Sequence, residues 1–76
     1  MTELLEFLVR ALVEDPEAVV IEELEEDGDL IYEITVADDD LGRIIGKGGR
    51  VANAIRTIAK AAAVRIDRRV IVDILD

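Results

Sequence analysis

The sequence has no cysteine, no histidine, no serine and no tryptophan. Without cysteine there is no disulfide framework and no thiolate nucleophile, and without histidine the commonest general base is missing. Zinc sites built on cysteine or histidine are excluded for the same reason. These absences predict a protein that is not an enzyme and that uses no cofactor and no metal.

Long hydrophobic runs are absent as well. Glu3 and Glu6 interrupt the first apolar stretch, which has no basic segment before it, so it does not have the pattern of a signal peptide. No stretch approaches the roughly 18 apolar residues of a membrane span. With 76 residues, we expect one domain over residues 1–76 and a cytoplasmic location.

Aromatic residues are scarce, since Phe7 and Tyr32 are the two in the chain. A nucleic-acid surface made of stacked aromatic rings needs more of them, so that class of surface is excluded. We expect Phe7 to lie in the hydrophobic core.

Charge of one sign dominates the first half of the chain. The net charge is −9, which by itself argues against nucleic acid as a partner. Residues 1–40 carry fifteen acids and one base, however, whereas residues 41–76 carry eight bases and three acids. A molecule with such opposite halves presents one side to a polyanion and repels it from the other, whatever its average charge.

The spacing of apolar residues and turn formers predicts six elements in the order α-β-β-α-α-β. They are a helix over residues 2–14 capped by Thr2, strands at 19–24 and 30–36 joined by a polar turn at 25–29, helices at 41–45 and from 50 to about 64, and a strand at 70–75. This order predicts an α+β fold in which three helices cover one face of a three-stranded mixed sheet. The two-helix connection is long enough for a parallel, right-handed return to the sheet.

The apolar pattern also predicts which faces are buried. In the second strand the buried face holds Leu30, Tyr32, Ile34 and Val36. In the long second helix of the pair, the predicted stripe is Val51, Ile55, Ile58 and Ala62, widened by Ala52, Ala59 and Ala63. We interpret residues 38–40, three successive aspartates, as a cap for the short helix that follows rather than as a magnesium site.

A glycine-dense loop interrupts the two helices at residues 46–49. Gly46, Gly48 and Gly49 lack a Cβ, so a sugar-phosphate chain can approach the backbone closely and the loop can adopt positive φ angles. The next helix offers free N–H groups and a partial positive charge at its start. Lys47 and Arg50 add positive side chains at the same point, so the pattern predicts a phosphate-binding loop.

The residues Ile44-Ile45-Gly46-Lys47-Gly48-Gly49, together with the order of elements, resemble the type II KH domain, whose Ile-Gly-x-x-Gly loop clamps single-stranded nucleic acid. Because one such domain fills the chain, and because residues 50–60 read RVANAIRTIAK, the sequence is similar to the small bacterial KhpA family of RNA-binding proteins. The resemblance implies binding of about four nucleotides of single-stranded RNA. The residues it implicates are Arg43, Ile44, Ile45, Gly46, Lys47, Gly48, Gly49, Arg50 and Asn53.

The same resemblance implies a role as an RNA chaperone that affects cell shape and division. The implied partners are a second copy of the chain, forming a homodimer, or a KhpB-type protein, also called EloR or Jag. It also suggests that the acidic turn at residues 25–29 lies beside the RNA groove, where it would repel the backbone.

Two alternatives remain open from the residues themselves. In one, the alanine-rich helix from residue 50 is a dimerisation or protein-interaction face and RNA is incidental. In the other, the two helices form a helix-turn-helix that binds DNA, which the three-glycine connector disfavours. A Walker A loop and a dinucleotide-binding loop are excluded because Leu41 and Val51 occupy positions where those motifs need glycine.

Overall fold

The computed structural model describes all 76 residues and contains three helices and three strands. In chain order they are α1 (Thr2–Leu12), β1 (Val20–Glu26), β2 (Asp29–Thr35), α2 (Leu41–Ile45), α3 (Arg50–Ala63) and β3 (Val70–Ile74). Short 3-10 turns occupy residues 16–18, 38–40, 47–49 and 64–66. The order of elements and the α+β class are as predicted, and the boundaries of α2 coincide with the predicted ones. None of the helices is both long and apolar enough to cross a membrane.

Strand β2 lies at the centre of the sheet, between antiparallel β1 and parallel β3. The β1–β2 hairpin closes at the pair Glu26 and Asp29, with a two-residue turn between them. In that turn Asp27 and Gly28 have φ angles of 53° and 86°, as expected for an Asp-Gly turn of type I′. The parallel return through α2 and α3 was predicted from the length of the connection.

The core lies between the sheet and the helices on one of its faces. The predicted inner face of β2 is correct, because Leu30, Tyr32 and Ile34 are all buried. From the helical layer, α1 contributes Leu5 and Val9 to this core, which α3 and β3 complete. The sheet is thus covered on one side and open on the other, the simplest two-layer arrangement.

The expectation that Phe7 is a core residue is wrong, since its side chain is 72% exposed. Helix α1 buries the face that contains Leu5 and Val9. A helix turns about 100° per residue, so residue 7 points roughly opposite to residue 5. The sheet covers one face of this short helix, and the phenyl ring is on the other.

The buried face of α3 is rotated relative to the predicted stripe. Ala52, Ile55, Ala59 and Ala63 are buried, whereas Ile58 is 41% exposed and Ala62 is exposed too. The prediction gave weight to the larger side chains. The structure instead turns small alanines toward the sheet, which lets the helix approach it closely and leaves Ile58 outside.

The predicted ends of α1 also need correction. The helix stops at Leu12, two residues before the predicted end, and Val13 is already extended. At the other end Met1 rather than Thr2 precedes the first turn, and no side chain caps it.

Candidate nucleic-acid interface

The backbone turns sharply between α2 and α3 at three glycines in conformations that L side chains rarely adopt. Gly46, Gly48 and Gly49 have φ angles of 75°, 65° and 80°. Left-handed backbone is nearly free of strain for glycine and costs other residues about 1–2 kcal/mol each. The glycine content of the loop therefore follows from its shape.

Two of these glycines serve different purposes. A Cβ on Gly46 would lie 2.5 Å from the Val51 Cγ2 atom and 2.8 Å from the Val51 nitrogen. The first turn of α3 therefore leaves no room for a side chain at this position. A Cβ on Gly48 would meet nothing within 4 Å. Gly46 lets α3 approach the end of α2, whereas Gly48 is an exposed corner that a ligand can reach.

The start of α3 lies directly behind that corner. Gly49 precedes the helix and provides no side-chain cap, so the N–H groups of the first turn have no side-chain acceptor. Such groups, with the helix dipole, favour an anion. Lys47 and Arg50 are exposed, and neither forms an ion pair within the chain. Backbone donors and two unpaired cations thus surround one accessible point.

Arg43 lies one turn before the loop but has partners within the protein. Its Nη2 atom donates to Glu14 Oε1 at 2.8 Å, and its Nε atom is 3.3 Å from Asp40 Oδ1. Both sides of the guanidinium group therefore face carboxylates. The prediction that Arg43 contacts RNA stays a prediction, and an RNA phosphate would compete there with two acids.

Asp40 anchors the segment that follows α1 to the start of α2. The backbone N–H groups of Glu14 and Asp15 donate to its two carboxylate oxygens, each at 3.0 Å. Asp40 is 2% exposed and is the one buried charged residue. The hydrogen bond from Glu14, then that from Asp15 and the charge of Arg43, hold the pKa of the Asp40 carboxyl below its ordinary value, against the opposing effect of burial.

This arrangement corrects the predicted role of the three aspartates. They form a 3-10 turn, and no side chain caps α2. The Asp40 carboxylate receives its hydrogen bonds from a segment 25 and 26 residues earlier in the chain. Local sequence contains no signal for such a contact, because its donors are ordinary backbone groups.

The remaining predicted site residues differ in their exposure. Ile44 has no exposed surface and packs in the core, so the expectation that its side chain contacts RNA is corrected. Ile45 is 39% exposed next to the loop. Asn53 is exposed on the first turns of α3, where its Oδ1 atom accepts a hydrogen bond from Arg56 Nη1 at 3.2 Å.

A groove runs between α3 and the free edge of β3. Across it Arg56 Nε donates to the Val72 carbonyl at 3.2 Å. The cavity there has a volume of about 330 Å³ and is lined by Arg56, Lys60, Arg69, Val70, Ile71 and Val72. Arg56 is not among the site residues predicted from the sequence. The like-charged pair Arg56 and Lys60, four residues apart on one helix, was the signal that could have found it.

Comparison with known proteins decides the family. The sequence matches the family model described as the KhpA/KhpB KH domain over residues 2–74. It is 47% identical to the RNA-binding protein KhpA of Caldanaerobacter subterraneus over 75 residues, which cover 99% of this chain and 100% of the relative. The chain belongs to the KhpA/KhpB KH-domain family. This confirms the resemblance stated from the sequence.

Two further KhpA/KhpB relatives show the same full-length agreement. The RNA-binding protein KhpA of Clostridium acetobutylicum is 45% identical over 75 residues, covering 99% of this chain and 100% of the relative. That of Listeria monocytogenes is 42% identical over 76 residues, covering 100% of both chains. The match therefore includes α1 and β3 as well as the glycine loop.

In this KhpA/KhpB domain the cations fall into two groups. Arg10, Arg43, Arg68 and Arg69 form ion pairs with acids of the first half of the chain. The other cations form no ion pair and lie in or beside the segment from the glycine loop to the end of α3. They are Lys47, Arg50, Arg56, Lys60 and Arg65.

The acidic hairpin turn is far from the glycine loop but adjoins the far end of the groove, because Arg69, which lines the groove, lies 3.8 Å from Asp29. Arg68 donates to the Gly28 carbonyl at 3.1 Å and to Glu25 at 2.6 Å, so the turn adjoins the segment after α3. The glycine loop precedes α3, and a helix of 14 residues is about 21 Å long. The turn lies beside the far end of α3 and not beside the loop.

Proposed function

We propose that this chain binds single-stranded RNA by placing the sugar-phosphate backbone on the corner formed by Lys47 and Gly48. The observation that carries the proposal is the open space at Gly48, flanked by two unpaired cations at the start of α3. Relatives over 40% identical along their full length are named RNA-binding proteins, which supports the same ligand here.

The geometry suggests how each part contributes. Lys47 and Arg50 neutralise adjacent phosphates, while the positive end of the α3 dipole favours one of them. The strand then follows the groove between α3 and β3, where its bases meet the polar groups of Arg56 and Lys60. We assign about four nucleotides to this path, the length that a glycine loop of this kind clamps.

Affinity for such a short segment is low, because few phosphates are engaged. We expect a Kd in the micromolar range or weaker, comparable to weak electrostatic binding. Two linked sites would raise the effective affinity without any new contact. A homodimer, or a complex with a KhpB-type partner, supplies the second site. Weak binding of this kind suits an RNA chaperone or post-transcriptional regulator that must also release its RNA.

The test measures binding of short fluorescein-labelled single-stranded RNA by fluorescence anisotropy. The double variant Lys47→Gln with Arg50→Gln should weaken binding by about tenfold or more, roughly 1.4 kcal/mol. The matched control, Arg65→Gln with Arg10→Gln, removes the same charge from exposed positions elsewhere. It should change the Kd by less than about twofold, and equal losses in both variants would contradict the proposal.

A salt titration gives an independent check. For single strands the slope of log K against log salt is about −0.7 per neutralised phosphate. The Lys47→Gln, Arg50→Gln variant should therefore have a slope less steep by about 1.4. Binding by the wild-type protein that does not depend on salt would contradict a backbone-directed grip.

The second candidate function is protein interaction through α3. Ile58 is 41% exposed on that helix, next to exposed Ala62, and Val64 beyond it is 76% exposed. Sedimentation distinguishes the candidates: Ile58→Asp should dissociate a dimer formed by this face, while Thr57→Asp, one residue away, is the control. A dimer lost in Ile58→Asp, with no RNA binding by the wild type, would favour this candidate over RNA binding.

A further inference from the structure

The sheet face away from the helices carries no other part of the chain. Tyr32 donates a hydrogen bond to Glu23 at 2.7 Å on the inner face, where Tyr32 is buried. Side chains alternate along a strand, so the residues next to these two point outward. Ile31 and Ile71, which belong to the outward set, are outside the core cluster and outside the residues packed against it.

An apolar row crosses this open face. Leu24 is paired with Ile31, and Ile31 is paired with Ile71, so the three side chains lie side by side on adjacent strands. Leu24 is 41% exposed, and the two isoleucines are half-buried. Adjacent strands are about 4.8 Å apart, which makes the row about 10 Å wide.

A row of carboxylates runs beside the apolar row. Glu22 is paired with Glu33, and Glu33 with Asp73, so three acids stand directly opposite one another. Like charges at paired positions destabilise a sheet. None of the three forms an ion pair within the chain. The row of acids therefore weakens the isolated fold without a compensating partner inside it.

The charge of the face restricts what can cover it. RNA would be repelled by the acids, and a second copy placed face to face would bring two acidic rows together. A positively charged partner gains binding free energy from both rows. Its apolar side chains cover Leu24, Ile31 and Ile71, and its lysine or arginine side chains pair with the acids. A helix that lies along the row covers its roughly 10 Å with about two turns, since each turn is about 5.4 Å long.

We propose that this open sheet face docks a basic amphipathic helix of a protein partner. Its apolar stripe lies on Leu24, Ile31 and Ile71, and its lysine or arginine side chains reach Glu22, Glu33 and Asp73. The face lies on the side of the sheet opposite to the helices, so the docked helix does not occupy the glycine loop. The domain then holds RNA and a basic protein at the same time.

The test uses a synthetic amphipathic helix of leucine and lysine as the probe, titrated into the isotopically labelled full chain. Amide signals of residues 22–24, 31–33 and 71–73 should shift most. A peptide of the same composition in scrambled, non-amphipathic order should bind at least about tenfold more weakly, because its apolar and basic residues do not match the two rows.

Two triple variants with the same change in net charge distinguish binding at the sheet face from non-specific electrostatic attraction. Glu22→Gln, Glu33→Gln, Asp73→Asn should weaken binding of the probe by about tenfold. The control Glu3→Gln, Glu17→Gln, Asp38→Asn changes the net charge equally at exposed positions outside the sheet, and should weaken it by less than about threefold. The sheet variant should fold at least as well as the wild type, because a like-charge row has been removed.

The proposal is overturned if both triple variants lose the same affinity, since attraction would then be a property of the net charge alone. It is also overturned if the largest shifts fall on α1 or on the glycine loop. A wild-type dimer that dissociates on Leu24→Ser would identify a second copy as the occupant instead. RNA binding measured on the sheet variant should be unchanged or stronger, which separates this proposal from the RNA site.

Discussion

At the far end of α3, where the chain enters β3, Arg68 and Arg69 pair with Glu25 and Asp29 of the hairpin at 2.6 and 3.8 Å. At the near end, Lys47 and Arg50 stand beside the glycine loop without any acidic partner. Each end adjoins at least one glycine with a positive φ, and each carries at least one exposed cation. At the far end the arginines form ion pairs that join the hairpin turn to the segment after α3. At the near end the cations remain available to bind an anion.

The comparison shows why net charge is a poor guide to the ligand of this protein. Acids of the hairpin and of the segment after α1 are matched by arginines beside them, and further acids occupy the open face of the sheet. The charge that an anion encounters at the glycine loop is set by the residues nearby, because exposed charges more than about 8 Å apart are largely screened by physiological salt. A chain of charge −9 therefore keeps a cationic site.

The largest effect is expected from a methyl group added at the glycine loop. In Gly46→Ala the new Cβ would lie 2.5 Å from Val51 Cγ2, so α3 must shift as well as bear a strained φ. We expect a loss of about 3 kcal/mol in the free energy of unfolding. Gly28→Ala at the hairpin meets no atom within 4 Å and should lose about 1 kcal/mol. Urea denaturation of both variants checks this, and equal losses would contradict the distinction.

Asp40→Asn should come next, because it removes the charge from the anchor between the segment after α1 and the start of α2. One of the two backbone N–H donors would face an amide NH2 group and lose its acceptor. We expect a fall of several degrees in Tm by circular dichroism. Glu17→Gln, an exposed acid in the same segment, is the control. An unchanged Tm would show that the Asp40 hydrogen bonds to the segment after α1 do not stabilise the fold.

The same anchor predicts a dependence on pH. The pKa of Asp40 is lowered in the folded protein from an ordinary value of 3.8, so its stabilisation is complete above that pH and is lost as the pH falls through the folded value. Wild-type stability should therefore drop more steeply in acid than that of Asp40→Asn. Acid titrations of the two proteins that run in parallel would contradict this role.

A smaller effect is expected at Tyr32, whose hydroxyl donates to Glu23. Tyr32→Phe should lose about 1 kcal/mol at neutral pH. Burial, followed by the hydrogen bond to Glu23, raises the pKa of Tyr32 to about 12 from 10.0, so wild-type stability is complete below pH 10 and is lost as the pH rises through the folded value. Urea midpoints measured up to pH 12 should fall more in the wild type than in Tyr32→Phe.

The smallest effect is expected where the cations are paired at the surface. In Arg68→Gln the pair with Glu25, which is 65% exposed, is lost together with a hydrogen bond to Gly28. Exposed pairs contribute little, so the loss should be about 0.5 kcal/mol with no change in RNA affinity. A weaker RNA complex in this variant would show that the hairpin end takes part in binding.

Much of the fold follows from patterns that are local in the sequence. Alternation along β2 gives its buried face, and Asp27-Gly28 gives the hairpin turn. The glycine loop is also readable, because three glycines with Lys47 and Arg50 define both its shape and its charge. Full-length similarity to KhpA/KhpB relatives confirms the family, while the binding role of the loop stays a prediction.

Apart from the ends of α1, the errors concern contacts between distant segments. The buried face of α3 depends on how closely alanines let it approach the sheet, so hydrophobicity alone chose Ile58 wrongly. Phe7 looked like a core residue because large apolar side chains usually are. Asp40 and Arg56 bind backbone atoms 25 and 16 residues away, whose positions appear only once the chain has folded.

The most direct measurement compares Gly48→Asp with Gly28→Asp in RNA binding by fluorescence anisotropy. Both glycines have positive φ, 65° and 86°, and both have open space where a Cβ would be, so the strain and the added charge are matched. Binding to the corner predicts a Kd at least about tenfold weaker for Gly48→Asp and less than about twofold weaker for Gly28→Asp. Equal affinities in the two folded variants would contradict RNA binding at the glycine loop.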